Sequence, residues 1–119
     1  MSRTDNIFDF LDAGIRAETL RQKSIANNIA NIETPNYRRM DVKFEEILAN
    51  SLNEDGSADM NDLEPVLFSP KNTPVKDNGN DVSMETEVGK LIENSLRYKT
   101  YIRVLNKKYQ QITEAIGDK

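Results

Sequence analysis

The sequence predicts a mainly α-helical fold. Long N-terminal and C-terminal helices form a coiled-coil-like bundle, and an irregular acidic middle insert between them has room for short strands. In both terminal thirds, apolar residues recur at alternating steps of three and four, as in helices that pack against other helices. All four prolines and eleven of the twenty acidic residues lie within residues 33–82. We therefore expect a discontinuous terminal-helix assembly domain over residues 1–34 and 83–119, and an irregular insert over residues 35–82.

The N-terminal helix carries the less regular of the two apolar stripes. Its positions at three-four spacing are Phe8, Leu11, Ile15, Glu18, Gln22, Ile25, Ile29 and Ile32. Glu18 and Gln22 place polar groups in the middle of this stripe, where they either fix the register between helices or face solvent. Pro35 should end the helix by about Glu33, because the residue before proline disfavours the helical region.

The insert contains weaker signals. Residues 41–52 predict a short helix, strand pairing is expected at Val66–Phe68 and near Val75, and residues 77–80 have the composition of a turn. Residues 51–62 partly match a calcium-binding EF-hand loop, but Ser51 and Asp62 are poor residues for its first and last positions. We predict a solvated acidic loop there and no metal site.

The C-terminal helix has the clearest pattern, a heptad-like repeat that continues for about four heptads. Ser83 is suited to cap its start, and Gly117 marks its end. We call the predicted apolar interhelical face of the two terminal helices the helix seam. Its residues are Phe8, Leu11, Ile15, Ile25, Val88, Leu91, Tyr98, Ile102, Leu105, Tyr109, Ile112 and Ile116.

The composition limits the function classes. Hydrophobic residues make up 37% of the chain and there is no Trp, so we expect part of the apolar surface to be buried between subunits. The alternative is a self-sufficient helical hairpin within one chain. The net charge of −4 argues against nucleic-acid binding, and the chain contains neither Cys nor His and no phosphate-binding Gly-rich loop. With no catalytic constellation visible, the sequence predicts a non-enzymatic protein without a cofactor.

Two further features concern location and surface charge. No apolar run is long enough for a membrane span, and no secretory signal is visible, so we expect no direct membrane insertion. The basic pairs Arg38-Arg39 and Lys107-Lys108 are expected on solvated faces, or opposite the acidic inserts of neighbouring subunits.

The most informative segment is the end of the N-terminal helix and the turn that follows it. Several Asn amides there can bond the free carbonyl groups of the last helical turn, and Thr34-Pro35-Asn36-Tyr37 turns the chain. From the residues alone, a capped helix end without further role is the favoured interpretation. We call the candidate residues the assembly motif; they are Asn27, Asn28, Ile29, Ala30, Asn31, Thr34, Pro35 and Tyr37.

This motif resembles the N-terminal motif of the bacterial flagellar axial proteins, a family of rod, hook and hook-associated proteins. In that family an Asn-Asn-Ile-Ala-Asn run is followed by Thr-Pro-Gly-Tyr. Asn36 replaces the Gly, and Asn is the residue that next best tolerates a left-handed turn. Residues 77–116 resemble the subunits of the proximal rod more closely than they resemble the other rod subunits.

The resemblance implies a structural subunit that polymerises through its terminal helices into the tubular rod of the flagellar basal body. It implies export through the flagellar type III apparatus without a cleaved signal. The implied partners are other copies of the chain, other rod proteins, the inner-membrane ring and the export apparatus. Another axial rod subunit and a soluble coiled-coil adaptor protein are the alternative functions.

Overall fold

A computed structural model describes residues 3–51 and 63–117 of the chain. Within these ranges the elements follow in the order α1 (Arg3–Ala30), β1 (Asp41–Lys43), α2 (Glu45–Ser51), β2 (Val66–Phe68) and α3 (Met84–Gly117). The two long helices are formed by the two ends of the chain, and the short strands lie between them in the sequence. The predicted mainly α-helical fold with an irregular insert is therefore confirmed.

The helices α1 and α3 pack against each other in antiparallel directions. The ring of Phe8, near the start of α1, lies 5.2 Å from the ring of Tyr109, near the end of α3. Further along α1, Gly14 faces Tyr101, and a Cβ added at this glycine would lie 2.4 Å from a carbon of the tyrosine ring. Gly14 thus allows an aromatic ring to lie directly on the backbone of α1.

The insert packs against α1 through a small apolar core. Two alanines of α1, Ala13 and Ala17, contact Phe44 and Leu63, and all four side chains are almost completely buried. The small alanine side chains let the insert approach the helix backbone closely. The strands β1 and β2 form an antiparallel pair in which Val42 lies opposite Leu67.

Part of the prediction for the insert was wrong. Residues Asp41–Lys43 form a strand and not the start of a helix, and the helix begins only at Glu45. The physical reason is a period of two: Val42 and Phe44 are both buried while Lys43 between them is not, which is the pattern of a strand. Val75 belongs to no strand in the described part of the chain, because β2 pairs with β1.

The ends of the long helices follow from local hydrogen bonds. Helix α1 ends at Ala30, three residues before Glu33, because its last turn tightens: the Asn31 N–H bonds the carbonyls of both Asn27 and Asn28 at 3.1 Å. Helix α3 begins directly after Ser83 and ends at Gly117, as predicted. None of the described helices is long and apolar enough to cross a membrane. The EF-hand-like segment lies, apart from Ser51, outside the described residues.

Candidate functional site

Asn28 forms the centre of the segment that leads out of α1. Its side chain is completely buried. The Nδ2 group donates to the Met40 carbonyl at 2.9 Å and to Glu87 Oε1 at 3.2 Å. The Oδ1 atom accepts from the Met40 N–H and from the Tyr37 hydroxyl, both at 2.9 Å. One amide therefore connects α1, the chain that enters β1 and the first turn of α3, and all its hydrogen-bonding capacity is used.

Tyr37 continues this network toward the surface. Its hydroxyl accepts a hydrogen bond from Asn27 Nδ2 at 2.8 Å while it donates to Asn28. Burial raises the pKa of Tyr37, and the negative charges of Glu87 and Asp81 add to this effect. The phenol therefore keeps the proton that it donates to Asn28.

The turn after α1 depends on two residues with positive φ. Asn36 has a φ of 63°, which agrees with the expectation that this asparagine takes the left-handed conformation. Its N–H donates to the Asn78 carbonyl at 2.9 Å. Gly79, with a φ of 83°, packs against Asn36 so closely that a Cβ would lie 2.3 Å from Asn36 Oδ1. The turn at Asn36 and the turn at Gly79 are therefore packed tightly against each other.

Asn80, which lies shortly before α3 in the sequence, caps the end of α1. It is fully buried, and its Nδ2 donates to the carbonyls of Asn31 and Thr34, both at 2.8 Å. Its Oδ1 accepts the N–H of Val82 at 2.7 Å. Sequence analysis identified residue 80 only as part of a turn, because turn composition does not reveal which distant carbonyl groups a side chain reaches.

Arginine and acidic residues form a buried charged cluster beside Asn28. Arg39 Nε donates to Glu87 Oε1 at 2.9 Å, and Arg38 Nε donates to Asp81 Oδ2 at 3.0 Å. Burial alone would lower the pKa of Arg39, but hydrogen bonding and charge from Glu87, together with the charge of Asp41, outweigh it and raise that pKa. The expectation of a solvated face was wrong for Arg39, which is only 5% exposed. A pair of adjacent arginines in a sequence does not indicate that they will form ion pairs with buried acidic residues.

A second polar cluster lies between α1 and α3. Glu18 is completely buried, and its Oε1 accepts from Asn94 Nδ2 and Arg97 Nε, both at 3.1 Å. Glu18 therefore fixes the pairing of the helices, whereas Gln22 and Ser95 are exposed. Glu18 thus fixes the register between the helices, whereas Gln22 faces solvent. Sequence analysis missed the role of Asn94, although it lies seven residues after Glu87, which faces α1 in the same way.

The described part of the insert packs on one side of the α1–α3 hairpin. On that side a cleft of about 430 Å³ lies between α1, β1 and α3, and its α3 residues are Lys90, Glu93 and Arg97. Tyr98 and Ile102 lie on a different flank of α3, in a shallow groove whose residues all belong to α3. We call this the free flank of α3.

The predicted seam residues fall into three groups. Leu11 and Ile25 are buried within the chain. The half-buried residues are Phe8, Ile15, Leu91, Ile102 and Leu105. The exposed residues are Val88, Tyr98, Tyr109, Ile112 and Ile116. The intramolecular contact of α3 instead includes Glu87, Asn94 and Tyr101, so the apolar stripe of α3 is turned partly outward.

The assembly motif is also divided between interior and surface. Asn28 is buried, whereas Ile29, Asn31 and Tyr37 are half-buried. The exposed members are Asn27, Ala30, Thr34 and Pro35. The structure brings the polar members together around Tyr37 and Asn80.

The chain is similar in sequence to several known proteins. A family model described as "Flagella basal body rod protein" matches residues 13–38, from the middle of α1 to just past Tyr37. The chain is 30% identical over 125 residues to the flagellar basal body rod protein FlgB of Bacillus subtilis (strain 168), covering 94% of both chains. It is 31% identical over 120 residues to the protein of the same name from Borreliella burgdorferi, covering 82% of this chain and 86% of the relative. With the protein of that name from Proteus mirabilis the identity is 24%, over 89% of this chain and 90% of the relative.

Proposed function

The chain belongs to the FlgB family of flagellar basal body rod proteins, and from this membership we propose that it polymerises through its two terminal helices into the proximal part of the rod. It is a structural subunit of the basal body rod. Its function is self-assembly and not catalysis.

The observation that supports assembly through the helices is the apolar surface that α3 leaves uncovered. Tyr109 is 56% exposed and Ile116 is 64% exposed, on a helix whose inner contact is partly polar. Every residue of α3 from Tyr109 to Gly117 is exposed. Burying such surface between subunits contributes about 25 cal/mol per Å² of apolar area.

The assembly motif has a different part in this proposal. Asn28 and Tyr37 hold the exit of α1 against the first turn of α3, which fixes the insert to one side of the hairpin. The free flank of α3 is thereby kept open for another subunit. Residues 1–34 and 83–119 thus act as the assembly domain, and residues 35–82 act as an insert attached to it.

The partners proposed from the family are other copies of the chain and other rod proteins. Contacts with the inner-membrane ring and with the export apparatus are proposed for the ends of the rod. We also propose, from the family, that the subunit reaches the basal body by type III export, without cleavage of a signal.

Replacing Tyr98 by Asp tests this proposal, because the side chain is 39% exposed and its loss should leave the fold intact. In a strain whose own copy has been deleted, we expect Tyr98→Asp to abolish rod assembly and motility. Leu67→Asp is the matched control, since Leu67 is 46% exposed on β2 of the insert. A motile Tyr98→Asp strain with normal basal bodies would contradict assembly through α3.

A further inference from the structure

The outer edge of α1 is acidic near its N-terminal end. Asp9 and Asp12 are exposed, and they lie about 140° and about 160° around the helix from Gly14, which faces α3. Arg16 lies beside them and forms ion pairs with Asp12 at 3.0 Å and with Glu64 at 2.8 Å. Three acids and one base leave this edge, which we call the acidic edge, with an excess of negative charge.

The outer edge of α3 is basic at the same end of the hairpin. Arg103 and Lys107 are exposed, and both lie on the side of α3 opposite Tyr101, which faces α1. Neither forms an ion pair with another residue in the described part of the chain. From Asn94 to Gly117 the only acidic residue is Glu114, against five lysines and arginines. We call Arg103 and Lys107 the basic edge.

The two edges lie at matching heights along the hairpin. Contacts of Phe8 with Tyr109 and of Gly14 with Tyr101 set the alignment of the two helices. With a rise of about 1.5 Å per residue, Asp9 is level with Lys107, and Asp12 with Arg103, to within one helical turn. The edges face away from each other, so they cannot pair within one chain.

From this arrangement we propose that a second copy of this chain docks edge to edge, with the acidic edge of one copy against the basic edge of the next. This inference rests on the proposed self-assembly and names the two surfaces that carry it. The contact is heterologous, because different surfaces meet, and it leaves one edge of each copy free for a further copy. Repetition of this contact builds a closed ring if the rotation between copies closes, and an open helical array if it does not.

Apolar residues next to each edge support the same contact. On α1, Phe8 and Ile15 are half-buried beside Asp12. On α3, Tyr98 and Ile102 share a groove with Arg103 and Lys107. Docking the two edges would cover apolar surface on both sides while it pairs the charges, which gives orientation as well as affinity.

Cross-linking between single-cysteine variants tests the pairing, and the chain has no natural cysteine to interfere. Full-length Asp9→Cys and Asn106→Cys are mixed in equal amounts at a concentration at which the wild type associates, and are then oxidised. We expect the mixed 9–106 disulfide to exceed both homodimers. Ser95→Cys is the matched control for residue 106, since it is also exposed on α3 but about 16 Å further along the helix. Its mixed product with Asp9→Cys should be minor.

Charge reversal provides an independent measurement. Asp9→Lys/Asp12→Lys and Arg103→Glu/Lys107→Glu should each associate about tenfold more weakly than the wild type, because several exposed ion pairs become repulsive. A mixture of the two variants should regain association, since each acidic edge then again meets a basic edge. Dominant homodimer cross-links, or association unaffected by both reversals, would overturn the edge pairing and leave self-assembly standing. A wild-type chain that stays monomeric at every concentration would overturn the proposed function itself.

Discussion

Glu87, in the first turn of α3, forms a 2.9 Å ion pair with Arg39, which lies 48 residues earlier in the chain. The Glu87 side chain is completely buried and that of Arg39 is 6% exposed. The same carboxylate oxygen accepts a hydrogen bond from Asn28 at the end of α1. This pair therefore connects the insert, α1 and α3 at one point.

Removing the carboxylate of Glu87 should destabilise the fold strongly. Glu87→Ala leaves the buried charge of Arg39 without its main partner, and breaking such a pair costs about 3–5 kcal/mol. Urea unfolding of the purified chain, followed by circular dichroism, measures this loss. Glu85→Ala is the control in the same helical turn, where an exposed side chain should change the free energy of unfolding by less than about 0.5 kcal/mol. Equal effects of the two substitutions would show that the buried pair does not stabilise the junction.

Asn28 should be far more sensitive than its neighbour Asn27. Asn28→Ala leaves the Met40 N–H without its partner and removes one of the two donors to the Met40 carbonyl, the other being the Ser24 hydroxyl, and we expect a loss of about 2–3 kcal/mol. Asn27 is exposed and, among the described residues, its side chain bonds only the Tyr37 hydroxyl, so Asn27→Ala should cost about 1 kcal/mol or less. Thermal unfolding of both variants decides the matter, and a ranking in the opposite order would contradict the central place of Asn28.

The turn at Asn36 should accept glycine but not alanine. At a φ of 63°, a side chain with a Cβ costs about 1–2 kcal/mol unless it is offset by local hydrogen bonding, and glycine pays no such cost. We therefore expect Asn36→Gly to be at least as stable as the wild type and Asn36→Ala to be about 1 kcal/mol less stable. The difference between the two variants in denaturant midpoint is the observable, and no difference would mean that the left-handed turn relaxes.

The pH dependence of stability should depend in part on Glu45. The hydrogen bond from Arg21 lowers the pKa of Glu45 and outweighs the opposing effect of burial. A carboxylate with a lowered pKa stabilises the fold at pH above its unfolded value of about 4.3, and this contribution disappears as the pH falls through the folded pKa. The stability advantage of the wild type over Glu45→Gln, measured by urea unfolding, should accordingly be present at pH 7 and smaller at pH 3, which lies below the unfolded pKa. An advantage that is the same at both pH values would exclude the Arg21–Glu45 interaction as its source.

The sequence determined the long helices and the turn at Asn36 because these depend on local patterns. Heptad spacing placed α3 correctly at both ends, since Ser83 and Gly117 mark its limits. The spacing could not reveal which side of α3 meets α1. Glu87 and Asn94 pack inward because Asn28 and Glu18 offer them hydrogen bonds across the interface, and such pairing is a property of two helices together. For the same reason the burial of Arg39 was not predictable from its neighbours in the sequence.

The central claim is that the apolar surface of α3 associates with other subunits, and sedimentation velocity of the full chain over a wide concentration range tests it most directly. The decisive variant is Ile112→Asp/Ile116→Asp, whose two side chains are 36% and 64% exposed, and the matched control is Val66→Asp/Leu67→Asp on β2 of the insert, where both are 46% exposed. We expect the wild type and the control to form larger species as concentration rises, while the α3 variant remains monomeric with an unchanged circular dichroism spectrum when dilute. Association of the α3 variant at the same concentrations as the wild type would contradict the claim.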